Sequence, residues 1–199
     1  KAVVKIDALQ VTALTAGTEA PIELEAGASA WVEFTAKKDA RYEYKKQDAT
    51  DFEILKASSL GTTNGTFGFS DSKGEVINAG TKKYFKVTNN NAEKKTIKLT
   101  ISEVVAVAAG QSAELKNGEG KWFEFTADAA ARYTFSGKAV KDGQTPGASI
   151  SGVVTKLTDT NNTSTGGSLI LKQGDKRYFY ITASYTGTDT VAVSLKAVK

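Results

Sequence analysis

Apolar and polar side chains alternate one for one along much of this chain, as in Trp31-Val-Glu-Phe-Thr-Ala36, Tyr84-Phe-Lys-Val-Thr88 and Thr190-Val-Ala-Val-Ser-Leu195. A period of two sends successive side chains to opposite faces of an extended backbone, so these segments are predicted strands. Turn-forming clusters separate them, among them Gly61-Thr-Thr-Asn-Gly65, Asp71-Ser-Lys-Gly74, Asn89-Asn-Asn91 and residues 160–167. No apolar pattern of helical period and helical length interrupts the series. Seven or eight short strands in about 95 residues, with turn signals every eight to twelve, predict antiparallel β-sandwiches of the jelly-roll or immunoglobulin-like kind.

The pattern is written twice. Residues 121–135, KWFEFTADAAARYTF, repeat residues 30–44, AWVEFTAKKDARYEY, with eight of fifteen positions identical, including Trp31 with Trp122, Glu33 with Glu124 and Arg41 with Arg132. Lys83-Tyr-Phe-Lys-Val-Thr88 returns as Arg177-Tyr-Phe-Tyr-Ile-Thr182. A repeat of more than 90 residues is too long for a solenoid unit and suits a complete domain. The expected fold is therefore all-β, two tandem sandwiches, residues 1–104 and 105–199, joined through Ile101–Gly110 without a flexible linker.

Within the repeated stretch, Phe123 and Phe125 share one face of a strand, and Trp122, Glu124 and Thr126 share the other. Matching core side to core side across a hairpin pairs Phe125 with Tyr133 and Phe123 with Phe135, and sets Trp122 opposite Ser136. The first copy would pair Phe34 with Tyr42 and set Trp31 opposite Lys45. Glu33 and Arg41, like Glu124 and Arg132, would then be diagonal cross-strand ion pairs, structural rather than catalytic.

Composition removes several functions. No histidine or cysteine occurs, which excludes the Ser-His-Asp and Cys-His arrangements, disulfides and the usual zinc sites. No carboxylate pair sits in a readable motif, so no enzyme activity, cofactor or metal site is expected. The 26 basic residues include three arginines and are spread in ones and twos, which speaks against nucleic acid as a partner. No apolar run approaches the roughly 20 residues of a membrane helix, so no membrane insertion is expected. The absence of methionine even at position 1 reads as a fragment or matured product, with other domains of a longer parent chain as neighbours.

The aromatics on non-core faces carry two readings. A neighbouring loop or domain covers the tryptophans, in keeping with their usual burial; or they form a stacking platform for sugar rings. On the second reading the ligand site is in the second repeat: Trp122, Tyr178, Tyr180 and Tyr185 as rings, small Ser136 leaving Trp122 open, and Asn161 and Asn162 as hydroxyl partners. Trp31 and Tyr84 make a weaker second site, with Lys45 over Trp31. A curved aromatic surface would suit a helical α-glucan such as starch better than a flat β-linked chain.

Gly118 to Ala127, Ala131-Arg-Tyr-Thr-Phe135 and Gly174 followed by Tyr178-Phe-Tyr-Ile181 together resemble the bacterial pre-peptidase C-terminal type of β-sandwich domain, and both copies resemble it. The resemblance implies a non-catalytic secreted module appended to proteases and other surface proteins, some members of which bind collagen, polysaccharide or calcium. Where many members carry an acidic residue before the aromatic strand, this chain has Ala30 or Lys121, which counts against calcium. The expected function is an extracellular or cell-surface binding module for a polysaccharide or other extracellular polymer, with a structural spacer or adhesion module as the alternative.

Overall fold

The structure, a computed structural model, describes residues 9, 11–48, 50–66, 71–141, 146–160, 167–187 and 189–199. The protein is all-β. Its strands are β1 (Val11–Leu14), β2 (Glu19–Leu24), β3 (Ser29–Thr35), β4 (Ala40–Gln47), β5 (Phe52–Ser59), β6 (Thr62–Thr66), β7 (Asp71–Ile77), β8 (Lys82–Asn89) and β9 (Lys95–Glu103). They continue as β10 (Ser112–Leu115), β11 (Gly120–Thr126), β12 (Ala131–Val140), β13 (Gly147–Val154), β14 (Ser168–Leu171), β15 (Lys176–Ser184) and β16 (Val191–Val198). Two compact units result, Lys1–Asp71 with Ile77–Glu103, and Ser72–Val76 with Val104–Lys199.

The first unit has strands in the orders β1-β3-β8-β5-β6 and β2-β9-β4; the second has β11-β15-β13 and β10-β16-β12-β14. Matched by sequence, β3-β8-β5 corresponds to β11-β15-β13 and β2-β9-β4 to β10-β16-β12. Apart from the β5–β6 hairpin, each strand within a unit lies in the opposite sheet from the strand before it. In each unit the sheets bury their apolar faces against one another: Val32, Phe34, Phe85 and Val87 meet Tyr42, Tyr44, Ile97 and Leu99 in the first, and Phe123, Phe179 and Ile181 meet Tyr133, Phe135 and Val193 in the second. Each such large side chain contributes about 1.5–3 kcal/mol of transfer free energy.

The expected hairpins are not formed. β3 pairs with β8 and β11 with β15, while β4 and β12 lie in the facing sheets. Phe34 and Tyr42, with ring centroids 5.1 Å apart, and Phe125 and Tyr133, also 5.1 Å, do meet, but across the sandwich. Alternation specifies which face is apolar and is satisfied equally by a ladder partner or by a facing sheet. Backbone hydrogen bonds hold the crossing point: Ala36 N–H donates to Thr81 O and Ala127 N–H to Asp175 O, while Gly80 and Gly174 donate back to Ala36 and Ala127. Ser136 accordingly stands opposite Lys196 rather than Trp122, and Trp31 opposite Lys86 rather than Lys45.

The diagonal acid–arginine pairs are replaced as well. Glu33 binds Lys82 at 2.8 Å and Glu124 binds Lys176 at 2.8 Å, the same pair in both units. Arg132 is exposed and Arg41 is buried. A further shared device is a glycine in left-handed conformation before β3 and β11, Gly27 (φ 69°) and Gly118 (φ 80°), whose N–H groups reach Asn89 O and Ala183 O at 2.9 Å.

Candidate functional site

The outer face of the β11-β15-β13 sheet carries three of the rings the sequence singled out, Trp122, Tyr178 and Tyr180. The ladder sets Trp122 opposite Tyr180 and Glu124 opposite Tyr178. The two rings of the first pair lie 5.3 Å apart at 53°. Gly120 makes room for them, because a Cβ there would collide with the Tyr180 ring. The aromatic strip predicted by alternation is therefore real, but it is not a platform: Val104, Val154, Ala106 and Leu157 close over Trp122 and Tyr180 as a second apolar cluster, and Trp122 is 0% exposed.

Polar contacts complete this cover. Trp122 Nε1 donates to the Lys73 carbonyl at 2.9 Å, which meets the requirement that a buried indole N–H find an acceptor. The Lys73 ammonium lies 5.6 Å from the Tyr180 ring centre and donates to Ser151 O at 3.3 Å. Leu157 is brought onto the sheet by a tight loop in which the Asp159 carboxylate accepts from Thr155 N at 3.1 Å, Lys156 N at 2.8 Å and the Thr155 hydroxyl. Those bonds, the hydroxyl's foremost, hold the Asp159 carboxyl below its ordinary pKa. Asp159 is thus a loop staple.

The remaining expected site residues are dispersed. Tyr178 is half-buried, and burial first, with Glu124 beside it, raises the pKa of its hydroxyl. Tyr185 packs on the main core of the second unit, its N–H bound to Asn117 Oδ1 at 3.0 Å and its hydroxyl to the carbonyls of Leu115 and Asp189. Ser136 lies in the other sheet, and Asn161 and Asn162 fall outside the described residues. Trp31 is buried and Tyr84 half-buried. The expected ring surface is thus absorbed into packing, because an apolar ring on an outer face can be covered by an adjoining segment that the strand pattern does not reveal.

Two other features were not legible as sites. Asp128 accepts from the Tyr133 hydroxyl at 2.5 Å and from Lys199 at 2.8 Å, and these bonds, that of Lys199 foremost, lower its pKa to about 2. Its stabilising contribution is full above the unfolded value near 3.8 and is lost as pH falls towards 2. An acid-unfolding series on wild type and Asp128→Asn is expected to converge below that window; equal behaviour of the two at pH 5 to 7 would show that the carboxylate contributes nothing.

The other feature is a surface groove of about 300 Å3 in the first unit, lined by Lys56, Ala57, Ser58, Lys82 and Lys83. Lys56 is distant in sequence from the adjacent Lys82 and Lys83, and the β5–β8 register brings them together. Among the described residues no group of three or more acidic side chains gathers as a metal site, and no helix is long and apolar enough to cross a membrane. No protein-family model matches the chain, and no curated protein is similar to it.

Proposed function

We propose that this chain is a non-catalytic structural spacer or adhesion module, two tandem β-sandwiches within a longer bacterial surface or secreted protein. The observation that carries this reading is the complete burial of Trp122 under Val104, Val154, Leu157 and the Lys73 backbone, which spends the aromatic face on cohesion rather than on a ligand. The glycan reading through Trp122, Tyr178 and Tyr180 loses its stacking surface by the same fact. Both units repeat the same ion pair, glycine turn and crossing-point hydrogen bonds, and all of these hold strands together. The resemblance to pre-peptidase C-terminal domains supports placement outside the cell, and the absence of histidine and cysteine supports a role without catalysis.

The test is a pull-down of the chain on starch, cellulose, chitin, peptidoglycan and collagen. No retention above that of an inert control protein is expected. Saturable retention tighter than about 1 mM on starch, cellulose or chitin would overturn the spacer reading in favour of a glycan-binding module.

A further inference from the structure

We propose that the open edge of β14 accepts an extended acidic segment of a partner protein as an added strand, one with an aliphatic side chain and a carboxylate two positions apart. The inference goes beyond the spacer reading, which survives its failure. β14 ends the β10-β16-β12-β14 order, so its second edge has no ladder partner among the described strands. Its pairing with β12 shows which groups are left over. The Phe135 N–H donates to Gly167 O, and this bond continues the alternate pairs Tyr133 with Leu169 and Ala131 with Leu171, which are therefore the pairs that exchange hydrogen bonds. Ser168 and Ile170 lie between them and turn their N–H and C=O groups away from β12. Each offers a donor and an acceptor to another strand.

Sheet edges are ordinarily blunted against such pairing, and other edge strands of this chain show how. β2 carries Pro21 between Glu19 and Glu23, β10 carries Glu114, and β13 has a register shift between Ile150 and Gly152. β14 reads Ser-Leu-Ile-Leu, with no charge, no proline and no shift. Ile170 points to the outer face and is 73% exposed, so an aliphatic side chain stands beside the open backbone. A strand of this kind is a template for addition.

Charge selects the partner. Arg132 stands opposite Ile170 in the ladder and its guanidinium lies 3.5 Å from Ser168 Oγ, which brings a cation to the same edge. Among the described residues it has no carboxylate partner. The first unit places Glu43 two residues after Arg41, whereas the second has Thr134 in that position. Lys138 and Lys196 share the outer face, diagonal to one another across β12 and β16, and neither has an ion pair among the described residues. Two copies joined through β14 would bring two Arg132 groups to one seam, so the face opposes self-pairing and favours an acidic chain. In an antiparallel added strand the residue opposite Ile170 packs on its side chain, and the residue two positions later, opposite Ser168, meets the guanidinium. A Val-x-Glu sequence fits both, since a carboxylate matches the arginine fork.

Amide chemical-shift titration of the full chain with the capped peptide Thr-Val-Thr-Glu-Thr tests this. Shifts centred on Ser168 to Leu171 and on Arg132 are expected, with a Kd on the order of 1 mM because the contact is short. Glutamine in place of the peptide's glutamate should weaken binding about threefold or more, and Arg132→Gln should remove the difference between the two peptides. Ile170→Pro removes an N–H that makes no ladder bond, so it should keep the fold while abolishing the shifts. The peptide N-methylated at its valine and glutamate makes the same test on the unaltered protein, and it should not bind. Binding of the methylated peptide as tight as that of its parent, or no shift with the parent at about 10 mM, overturns strand addition. Equal binding of the glutamate and glutamine peptides overturns the acidic assignment. Equal shifts with polygalacturonate, which has no main-chain amides, overturn the protein partner, and dimerisation that protects the same amides without peptide makes a second copy the occupant instead. None of these results bears on the neutral polymers that test the spacer reading.

Discussion

Replacing Trp122 with alanine is expected to cost the second unit about 3 to 5 kcal/mol, the range for removing a large aromatic side chain from a closed interior. The ring has no exposed surface, touches Tyr180 at 5.3 Å and is enclosed by Val104, Val154 and Leu157, so truncation leaves a cavity whose walls are anchored in separate strands and loops. Trp122→Phe separates the two parts of this cost. It keeps most of the packing but removes the donor to Lys73 O, leaving a carbonyl short of its partner at about 1–3 kcal/mol. Urea unfolding of the full chain followed by tyrosine and tryptophan fluorescence, with hydrogen exchange to identify the unit that opens, measures both. A loss below about 1 kcal/mol for Trp122→Ala would mean that the ring is solvent-accessible in solution, and would restore the stacking platform as a reading.

The first unit has a comparable dependence on Asn89, which is 0% exposed. Its amide nitrogen donates towards Leu24 O, Glu25 O and Glu93 O at 3.0, 3.2 and 2.9 Å, and its oxygen accepts from Asn91 N at 2.9 Å. One side chain thus ties the end of β8 to the end of β2 and to the turn that leads into β9. Asn89→Ala removes these bonds together and leaves several carbonyls in a poorly hydrated corner, so a loss of roughly 2 to 4 kcal/mol is expected in the first unit alone. The second unit supplies the internal control. Ala183 holds the equivalent backbone position there with the same pair of main-chain bonds, so alanine is compatible with the backbone and any loss belongs to the side chain. Hydrogen exchange is the measurement, and protection of β2 and β8 that survives the substitution would refute the assignment.

Periodicity alone located most strands of both units and their apolar faces, because a buried sheet face forces alternation on Val32, Phe34, Phe123 and Phe179 alike. Ladder partners were not legible. Phe125 and Tyr133 carry the same signal whether they are neighbours along a sheet or face each other across a core, and the bonds that decide between these arrangements are main-chain bonds at Ala36 and Ala127, which any residue except proline could make. Asn89 was read as part of a polar turn cluster, and nothing in Asn89-Asn-Asn91 says which amide turns inward. The cover over Trp122 was equally hidden, since Val104 and Leu157 lie in connecting segments and their apolar character has no period to read.

The alternation of successive strands between sheets carries a kinetic consequence. Hairpins form within microseconds because their strands are neighbours in the chain, yet among the described strands only β5 and β6 are joined in that way. The β2–β9 ladder must instead close Leu24 onto Lys95, and the β10–β16 ladder Leu115 onto Val191. Each closure loses chain entropy before it gains a hydrogen bond, which places such topologies in the millisecond-to-second class of folders. On the ribosome β2 has no ladder to join until β9 emerges, so its backbone groups stay unpaired with another strand for most of the synthesis of the first unit. Pro21 in β2 and the lysines distributed over the outer faces then act during this interval as well as afterwards, by making the waiting strands poor templates for one another.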